Sequence, residues 1–391
     1  MIYLDNAATS FPKPPQVVDA VVRYLTEVGG NPARSSHRMA TEAARIIYRT
    51  RESIARLVGL EDPLRIILTA NATTAINIAL QGLLKPGRHV ITSSVEHNSV
   101  MRPLRQLEST GVEVTVVECS REGYISVDAI AEAIQPNTDM VAICHGSNVL
   151  GSVQPIGEIG RLCREKEILF FIDAAQTLGV IDIDIERDCV DLLAFAGHKS
   201  LYGPQGTGGL VVSRTVKGSQ FKPLVCGGTG SRSDSEIQPN FLPDVGESGT
   251  LNGPGLAGLG AGVEFVLAEG IEKIRKHEKA LTEKLIKGLE AIPYVRVYGP
   301  KDSENRISIV SANIGGFDPS VFAYLLEDRY GILTRAGLHC SPAAHKTANT
   351  FPVGTVRFSL SYFTSEEEID AVIDAVQEIS GGKIISGDWN K

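Results

Sequence analysis

The chain has 391 residues, of which 43% are hydrophobic, and we expect these to fill the cores of one large and one small domain. The formal net charge is −8, with lysine and arginine scattered rather than clustered, so neither nucleic acid nor an anionic membrane is an expected partner. No run approaches the roughly 20 apolar residues of a membrane span, and no signal-peptide pattern opens the chain, so a cytoplasmic protein is expected. The six cysteines have no C-x-x-C spacing, which predicts free thiols and argues against a metal site.

Short β-rich runs alternate with amphipathic stretches from about residue 36 to residue 212. Strands are predicted at residues 65–69, 89–93, 112–117, 139–145, 168–173, 192–195 and 209–212. Helices are predicted between them at residues 73–84, 126–134 and 156–166. This alternation predicts an α/β fold with a mostly parallel sheet that is covered on both faces.

The second half of the chain follows a different pattern. Residues 227–254 are rich in Gly, Ser and Pro, which indicates a domain border, and one long helical run follows to about residue 290. Strands near residues 295–297, 307–312 and 355–359, with helices near 319–329 and 365–379, predict a smaller α+β unit. We therefore expect a large domain at residues 15–255 and a small domain formed by residues 1–14 and 256–391.

A glycine-dense loop follows the sixth predicted strand, with the sequence AFAGHKSLYGPQGTGG at residues 194–209. A lysine after a strand is most often a solvated surface residue. The glycines here permit close backbone approach and positive φ angles, which a surface lysine does not need. This setting indicates that Lys199 meets a carbonyl ligand.

Polar residues also end or follow three other predicted strands. Ligands in such sheets bind beyond the carboxyl ends of the strands, so Asp173 is placed to meet one, although a strand-end aspartate can also simply cap the next turn. Thr73 and Thr74 start a helix and could hold a phosphate, but an ordinary helix cap predicts the same residues. His97 could stack on a ring or could be a surface or capping residue.

Together these four segments resemble the class V aminotransferases, and most of all the cysteine desulfurases of the SufS type, over nearly the whole chain. The likeness extends to YLDNAAT at residues 3–9, to GHK at 197–199 and to HGSNVLG at 145–151. It implies a fold-type I transferase that binds pyridoxal 5′-phosphate (PLP), with a seven-stranded sheet in the large domain. It also implies a homodimer.

The resemblance implies roles for individual residues around PLP. They are Lys199 (covalent attachment and catalysis), Asp173 (ring nitrogen), Gln176 (phenolic oxygen), His97 (catalysis, stacked on the ring), and Thr73, Thr74 and His198 (phosphate). A carboxylate facing the ring nitrogen keeps it protonated and makes the ring a better electron sink. Thr250 is implied to complete the phosphate site of the partner subunit, and Asn148 to lie on the substrate side. Ala196 replaces a serine of the SufS pattern, so one phosphate hydrogen bond is missing or supplied elsewhere.

One further segment, TRAGLHCSP at residues 334–342, decides the expected reaction. A lone cysteine is most often a small buried hydrophobe. Cys340 lies instead in what reads as a loop, where Arg335 and His339 could favour the thiolate. The resemblance implies that Cys340 accepts sulfur and that Arg335 and Arg357 bind the substrate, the planar fork of Arg357 suiting a carboxylate. Leu338 replaces a second histidine of the SufS pattern.

The implied reaction converts L-cysteine to L-alanine and leaves the sulfur on Cys340 as a persulfide, which passes to an acceptor protein for iron–sulfur cluster assembly. The alternatives within the same fold are a selenocysteine lyase and a PLP-dependent lyase or epimerase that uses no thiol. A PLP-binding protein without turnover is a third. An NAD-binding protein is disfavoured, because no G-x-G-x-x-G motif opens a helix after the first strand.

Overall fold

The computed structural model describes residues 1–32 and 37–381. The strands in these ranges are β1 (Ile2–Tyr3), β2 (Ile66–Thr69), β3 (His89–Ser93), β4 (Glu113–Val117), β5 (Thr138–Cys144), β6 (Leu169–Asp173), β7 (Leu192–Ala196), β8 (Gly208–Val212), β9 (Val295–Tyr298), β10 (Ile309–Ile314), β11 (Ile332–Leu333), β12 (Arg335–Gly337) and β13 (Thr355–Ser359). The helices are α1 (Pro15–Arg23), α2 (Arg38–Leu57), α3 (Ala72–Leu83), α4 (Asn98–Glu108), α5 (Val127–Ala133), α6 (Ile156–Glu165), α7 (Gly253–Glu269), α8 (Ile271–Glu290), α9 (Pro319–Tyr330), α10 (Pro342–Thr347) and α11 (Glu366–Ser380).

The predicted seven-stranded sheet is confirmed, with the strand order β2-β8-β7-β6-β5-β3-β4. Its pairings are parallel except those of β8, which runs antiparallel to both of its neighbours. Successive residues of one strand enter different apolar clusters: Ile91 packs on one face and Val90 on the other. Because both faces are covered in this way, the strands are apolar almost throughout. Each observed strand bound lies within one residue of its prediction.

The long helical run predicted up to residue 290 is wrong as a single element. It consists of α7 and α8, which meet at Gly270 at an angle of 81°. Gly270 has φ 85° and ψ 128°, a backbone conformation that is essentially restricted to glycine, and this ends α7. Helix α7 then packs on α1 and α2, whereas α8 packs on β9 and α11.

The small unit contains a four-stranded antiparallel sheet in the order β12-β13-β10-β9. Apolar side chains from this sheet and from α8, α9 and α11 form its core, which also takes in Leu4. Strand β1 pairs in parallel with β11, so the start of the chain packs on this unit. The predicted strand 307–312 is shifted by two residues, since the observed β10 spans Ile309–Ile314. The domain border at residue 255 stays a prediction.

Within the described ranges, no single helix is both long and apolar enough to cross a membrane. Among the described residues, the bent pair α7–α8 meets the length and apolarity criteria when its two helices are taken together.

Candidate active site

The carboxyl ends of four neighbouring strands meet at one cavity. Asp173 ends β6, and Cys144 ends β5 opposite it in register. The residues His198 and Lys199 follow β7, and His97 follows β3. The cavity is lined by Asn71, Ala72, Thr73, His97, Ser99, Cys144, Gly146, Asn148, Asp173, Ala175, Gln176, Ala196, His198 and Lys199. The structure therefore brings together seven of the twelve residues to which the sequence analysis gives a role.

Three predicted residues of the small unit and two predicted threonines lie outside this lining. Thr74 and Thr250 line a neighbouring cavity beside α3, where Thr250 is exposed. Cys340 and Arg357 lie on a loop and a strand of the small unit that hydrogen-bond the cavity residue Asn148. Arg335 lies on β12, in register with Arg357 of β13.

The loop that carries Lys199 has a fixed backbone. The carbonyl of Lys199 accepts hydrogen bonds from Tyr202 N (2.9 Å) and from Ser10 Oγ (2.8 Å). A side chain at Gly197 would collide with Thr207 and Leu259, so glycine is required there by close packing. Burial lowers the pKa of Lys199 to about 8, and although Asp173 opposes the shift, Arg357 adds to it. At pH 7 the amine is therefore neutral in about a tenth of the molecules, a far larger share than for a solvated lysine.

Two buried carboxyl groups lie at this edge of the sheet, beside the ends of β6 and β5. Asp173 Oδ1 accepts a hydrogen bond from Ala175 N (3.0 Å), and burial raises the pKa of Asp173. Glu96, which the sequence analysis missed, accepts hydrogen bonds from Ser93 Oγ (2.5 Å) and Cys144 N (2.9 Å). Burial raises the pKa of Glu96 to about 8. Its position just before His97, in SVEHN at residues 94–98, was the available signal.

His97 caps α4, so the capping role left open by the sequence is present. Its Nδ1 accepts a hydrogen bond from Ser99 N (3.0 Å), which places the proton of a neutral ring on Nε2. Burial, together with the nearby charges of Lys199 and Arg357, lowers the pKa of His97 to about 4. The ring is therefore neutral and oriented, and its stacking role stays a prediction.

The start of α3 leaves Thr73 available. Asn71 is the residue that caps this helix, since its Oδ1 accepts from Thr74 N (2.9 Å) and from Thr74 Oγ1 (3.1 Å). Thr73 lines the cavity at the helix N-terminus, where backbone N–H groups favour anions. Nearby, burial lowers the pKa of His198 to about 4, and its buried Nδ1 has no hydrogen-bond partner among the described residues.

The Cys340 thiol is exposed, on a loop that is held at both sides. The carbonyl of Cys340 accepts a hydrogen bond from Asn98 N (2.8 Å), and Asn148 Nδ2 donates to the carbonyl of His339 (2.7 Å). His339 and Cys340 have φ angles of 48° and 58°, and such unfavourable backbone persists only where its surroundings fix it. The thiol is therefore presented by a defined loop.

His339 does not favour the Cys340 thiolate, contrary to the sequence-based expectation. Its ring is buried and its Nε2 faces the carbonyl of Thr355 at 3.1 Å. Burial, reinforced by Arg357, lowers the pKa of His339 to about 2, so this ring carries no positive charge. The expectation also named Arg335 as a residue that could favour the thiolate. This side chain is exposed, and its part in the expectation stays a prediction.

Arg357 is buried and bound on two sides. Its Nη1 donates to the carbonyl of Asn148 (3.1 Å), and its Nη2 donates to Asp5 Oδ1 (2.9 Å). The side chain of Asn148 also accepts from Ser341 Oγ (2.7 Å), so Asn148 connects Arg357 with the Cys340 loop. Asp5 belongs to the YLDNAAT segment, which resembles the cysteine desulfurases. No role was predicted from the sequence for its carboxylate.

A family model described as aminotransferase class-V matches residues 2–372. The chain belongs to the class-V aminotransferases. Among the relatives of this class-V chain is a probable cysteine desulfurase from Methanothermobacter thermautotrophicus, which is 36% identical over 97% of this chain and 95% of the relative. The cysteine desulfurase IscS of Vibrio atlanticus is 34% identical over 96% of this chain and 92% of its own length.

Solved structures agree with this family and with the fold-type I assignment. The apo structure of the cysteine desulfurase from Thermococcus onnurineus has a TM-score of 0.91 at 30% identity and covers 97% of this chain and 95% of its own. The cysteine desulfurase CsdA from Escherichia coli has a TM-score of 0.86 at 27% identity, over 96% and 94%. The resemblance to cysteine desulfurases is thus confirmed at the family level, while the SufS subgroup stays a prediction.

Proposed function

We propose that this class-V chain is a PLP-dependent cysteine desulfurase that converts L-cysteine to L-alanine and transfers the sulfur to Cys340 as a persulfide. The observation that supports this most is the position of Asn148. Its side chain bonds the Cys340 loop, its carbonyl bonds Arg357, and it lines the cavity that contains Lys199. A thiol and a carboxylate-binding arginine are thereby coupled at one lysine cavity.

The residues of the cavity fit PLP. The buried His198 Nδ1 without a partner and the N-terminus of α3 at Thr73 suit a phosphate, and the Asp173 carboxyl suits a pyridinium nitrogen. The residues that would hold PLP are Lys199, Asp173, Gln176, His97, Thr73, Thr74, His198 and, from the partner subunit, Thr250. When bound, PLP supplies an electron sink that makes the Cα proton of an amino acid removable.

The chain's own residues account for the other parts of the reaction. The amine of Lys199 would hold the cofactor and, with an amino acid bound, would accept its Cα proton in its neutral form. Arg357 holds the substrate carboxylate, with the exposed Arg335, its register partner on β12, as a second cation. The Cys340 thiolate attacks the substrate sulfur: an S–S bond forms, the C–S bond breaks, and the electron pair remains on the three-carbon product, which is protonated and leaves as alanine.

The proposal extends to the partners of the chain. We propose a cytoplasmic homodimer that passes persulfide sulfur to an acceptor protein for iron–sulfur cluster assembly, with no nucleic acid or membrane partner. The net charge of −8 with scattered basic residues supports the exclusion of polyanions. The names of the relatives do not favour the selenocysteine lyase alternative.

Product analysis tests the proposed reaction. The PLP-loaded chain is incubated with L-cysteine, with and without a thiol reductant, and alanine, sulfide and protein-bound persulfide are measured. We expect alanine in both cases, sulfide with reductant, and persulfide on the chain without it. Parallel reactions with L-selenocysteine test the alternative: turnover of selenocysteine alone would overturn the proposal.

A further inference from the structure

The carboxylate of Asp5 occupies the arginine to which the proposed function assigns the substrate carboxylate. Asp5 Oδ1 lies 2.9 Å from Arg357 Nη2, although 352 residues separate the two in the chain. The Asp5 side chain is 23% exposed and that of Arg357 is 2% exposed. The arginine is therefore covered before any amino acid arrives.

The remaining donors of Arg357 leave little room for direct approach. Its Nη1 is bound to the carbonyl of Asn148, which is backbone in a turn closed by the hydrogen bond from Gly151 N to the carbonyl of Ser147 (3.0 Å). Its Nε is buried and has no hydrogen-bond partner among the described residues. The partner of Arg357 that can leave without moving backbone is the side chain of Asp5.

Asp5 has a fixed backbone and one side-chain partner. Its carbonyl accepts a hydrogen bond from Ala8 N (3.0 Å), and it bridges to Ser359 of β13, the strand that carries Arg357. Within the described ranges, Arg357 is the one hydrogen-bond partner of the Asp5 carboxylate. Rotation of this partly exposed side chain towards solvent would uncover the guanidinium while the surrounding backbone stays in place.

We propose that Asp5 is a positioning residue that acts through Arg357: it is the resident countercharge of the free enzyme, and the α-carboxylate of the incoming amino acid replaces it. This rests on the proposed function only in taking Arg357 as the carboxylate site. A buried arginine that loses its countercharge is strongly disfavoured, so a variant without the Asp5 charge gains more from binding a carboxylate than the wild type does. If Asp5 only oriented Arg357, removing its charge would instead weaken the binding of a carboxylate.

Binding of the product amino acid tests the exchange. L-alanine and L-alaninamide, which lacks the carboxylate, are titrated by calorimetry into the PLP-loaded wild type and Asp5→Asn. We expect Asp5→Asn to bind alanine at least about tenfold more tightly, and alaninamide within about twofold of the wild type. Weaker alanine binding, or an equal change for both ligands, would overturn the proposal.

Two further variants make the result specific. Asp5→Glu retains the charge and should bind alanine within about threefold of the wild type. Asp139→Asn removes the partner of Arg88, an aspartate–arginine pair at the seven-stranded sheet, and should leave both affinities unchanged. If Asp5→Asn is recovered unfolded, Asp5→Ser provides the same comparison. Sulfide release from cysteine is assayed separately, so failure of the desulfurase proposal is distinguishable from failure of the exchange.

Discussion

Lys199 in the cavity loses its proton at a lower pH than a solvated lysine does. Burial lowers the pKa of Lys199 from 10.5 to about 8, so its reactive neutral form becomes abundant at a pH more than two units lower than in a solvated lysine. Only the neutral amine can attack the PLP aldehyde. The rate at which the apo chain takes up PLP should therefore report the pKa of Lys199 directly.

We expect the rate of PLP uptake to rise about tenfold per pH unit well below pH 8 and to level off above pH 8. Stopped-flow absorbance of the visible band of bound PLP measures it. Lys199→Ala is the control and should develop no such band. A rate that continues to rise up to about pH 10 would show an ordinary solvated lysine and contradict this expectation.

At the same scale, sequence reasoning located residues by their place after strands and missed residues defined by distant partners. Lys199, Asp173 and His97 each follow a predicted strand, and the sheet edge brings them together. The role proposed for Asp5 depends on its contact with Arg357, which lies 352 residues away in the chain. The neutrality of His339 likewise follows from tertiary burial, which the neighbouring residues in the chain do not encode.

At the scale of elements, the break between α7 and α8 directs α7 to α1 and α2, and α8 to the small unit. Helical periodicity continues across residue 270, so it predicted one helix, and the conformation of a single glycine decides otherwise. Strands were predicted more accurately, because buried parallel strands are short apolar runs bounded by turn residues.

Gly270→Ala should lower the free energy of unfolding by about 2 kcal/mol, because the φ of 85° is strained for any L side chain. A Cβ at Gly270 meets nothing within 4 Å, so packing contributes no further cost. Denaturant unfolding measures the change. The matched control is Gly157→Ala in α6, where alanine should be neutral or stabilising by up to about 1 kcal/mol. Equal destabilisation by both substitutions would contradict the assigned cause.

At the scale of the whole molecule, the predicted homodimer depends on the segment that carries Thr250. Glu247 at its start is held by Arg51 (2.6 Å) and by Leu68 N (2.6 Å), while Thr250 itself is exposed. A segment with a buried anchor and an exposed end is suited to reach a second copy of the chain. The sequence supplied this idea only through resemblance, since no local pattern specifies a subunit contact.

Subunit mixing tests whether Thr250 serves its neighbour. Lys199→Ala and Thr250→Asp, which puts a negative charge beside the phosphate, should each have little activity as homodimers. Co-expressed heterodimers should recover part of the wild-type activity, because one of their two sites then has both Lys199 and Thr250 intact. Absence of recovery in heterodimers verified by mass spectrometry would contradict a shared site.

The role of Cys340 is tested most directly by comparing two exposed cysteines. Cys340→Ser removes the proposed sulfur acceptor, and Cys226→Ser removes an exposed thiol that lies outside the Lys199 cavity. We expect Cys340→Ser to keep the visible spectrum of bound PLP and its change with L-cysteine, yet to release sulfide slower by about two orders of magnitude or more. Cys226→Ser should match the wild type in both measurements. Near-normal sulfide release by Cys340→Ser, with no persulfide detectable on the wild-type chain by mass spectrometry, would contradict sulfur transfer to Cys340.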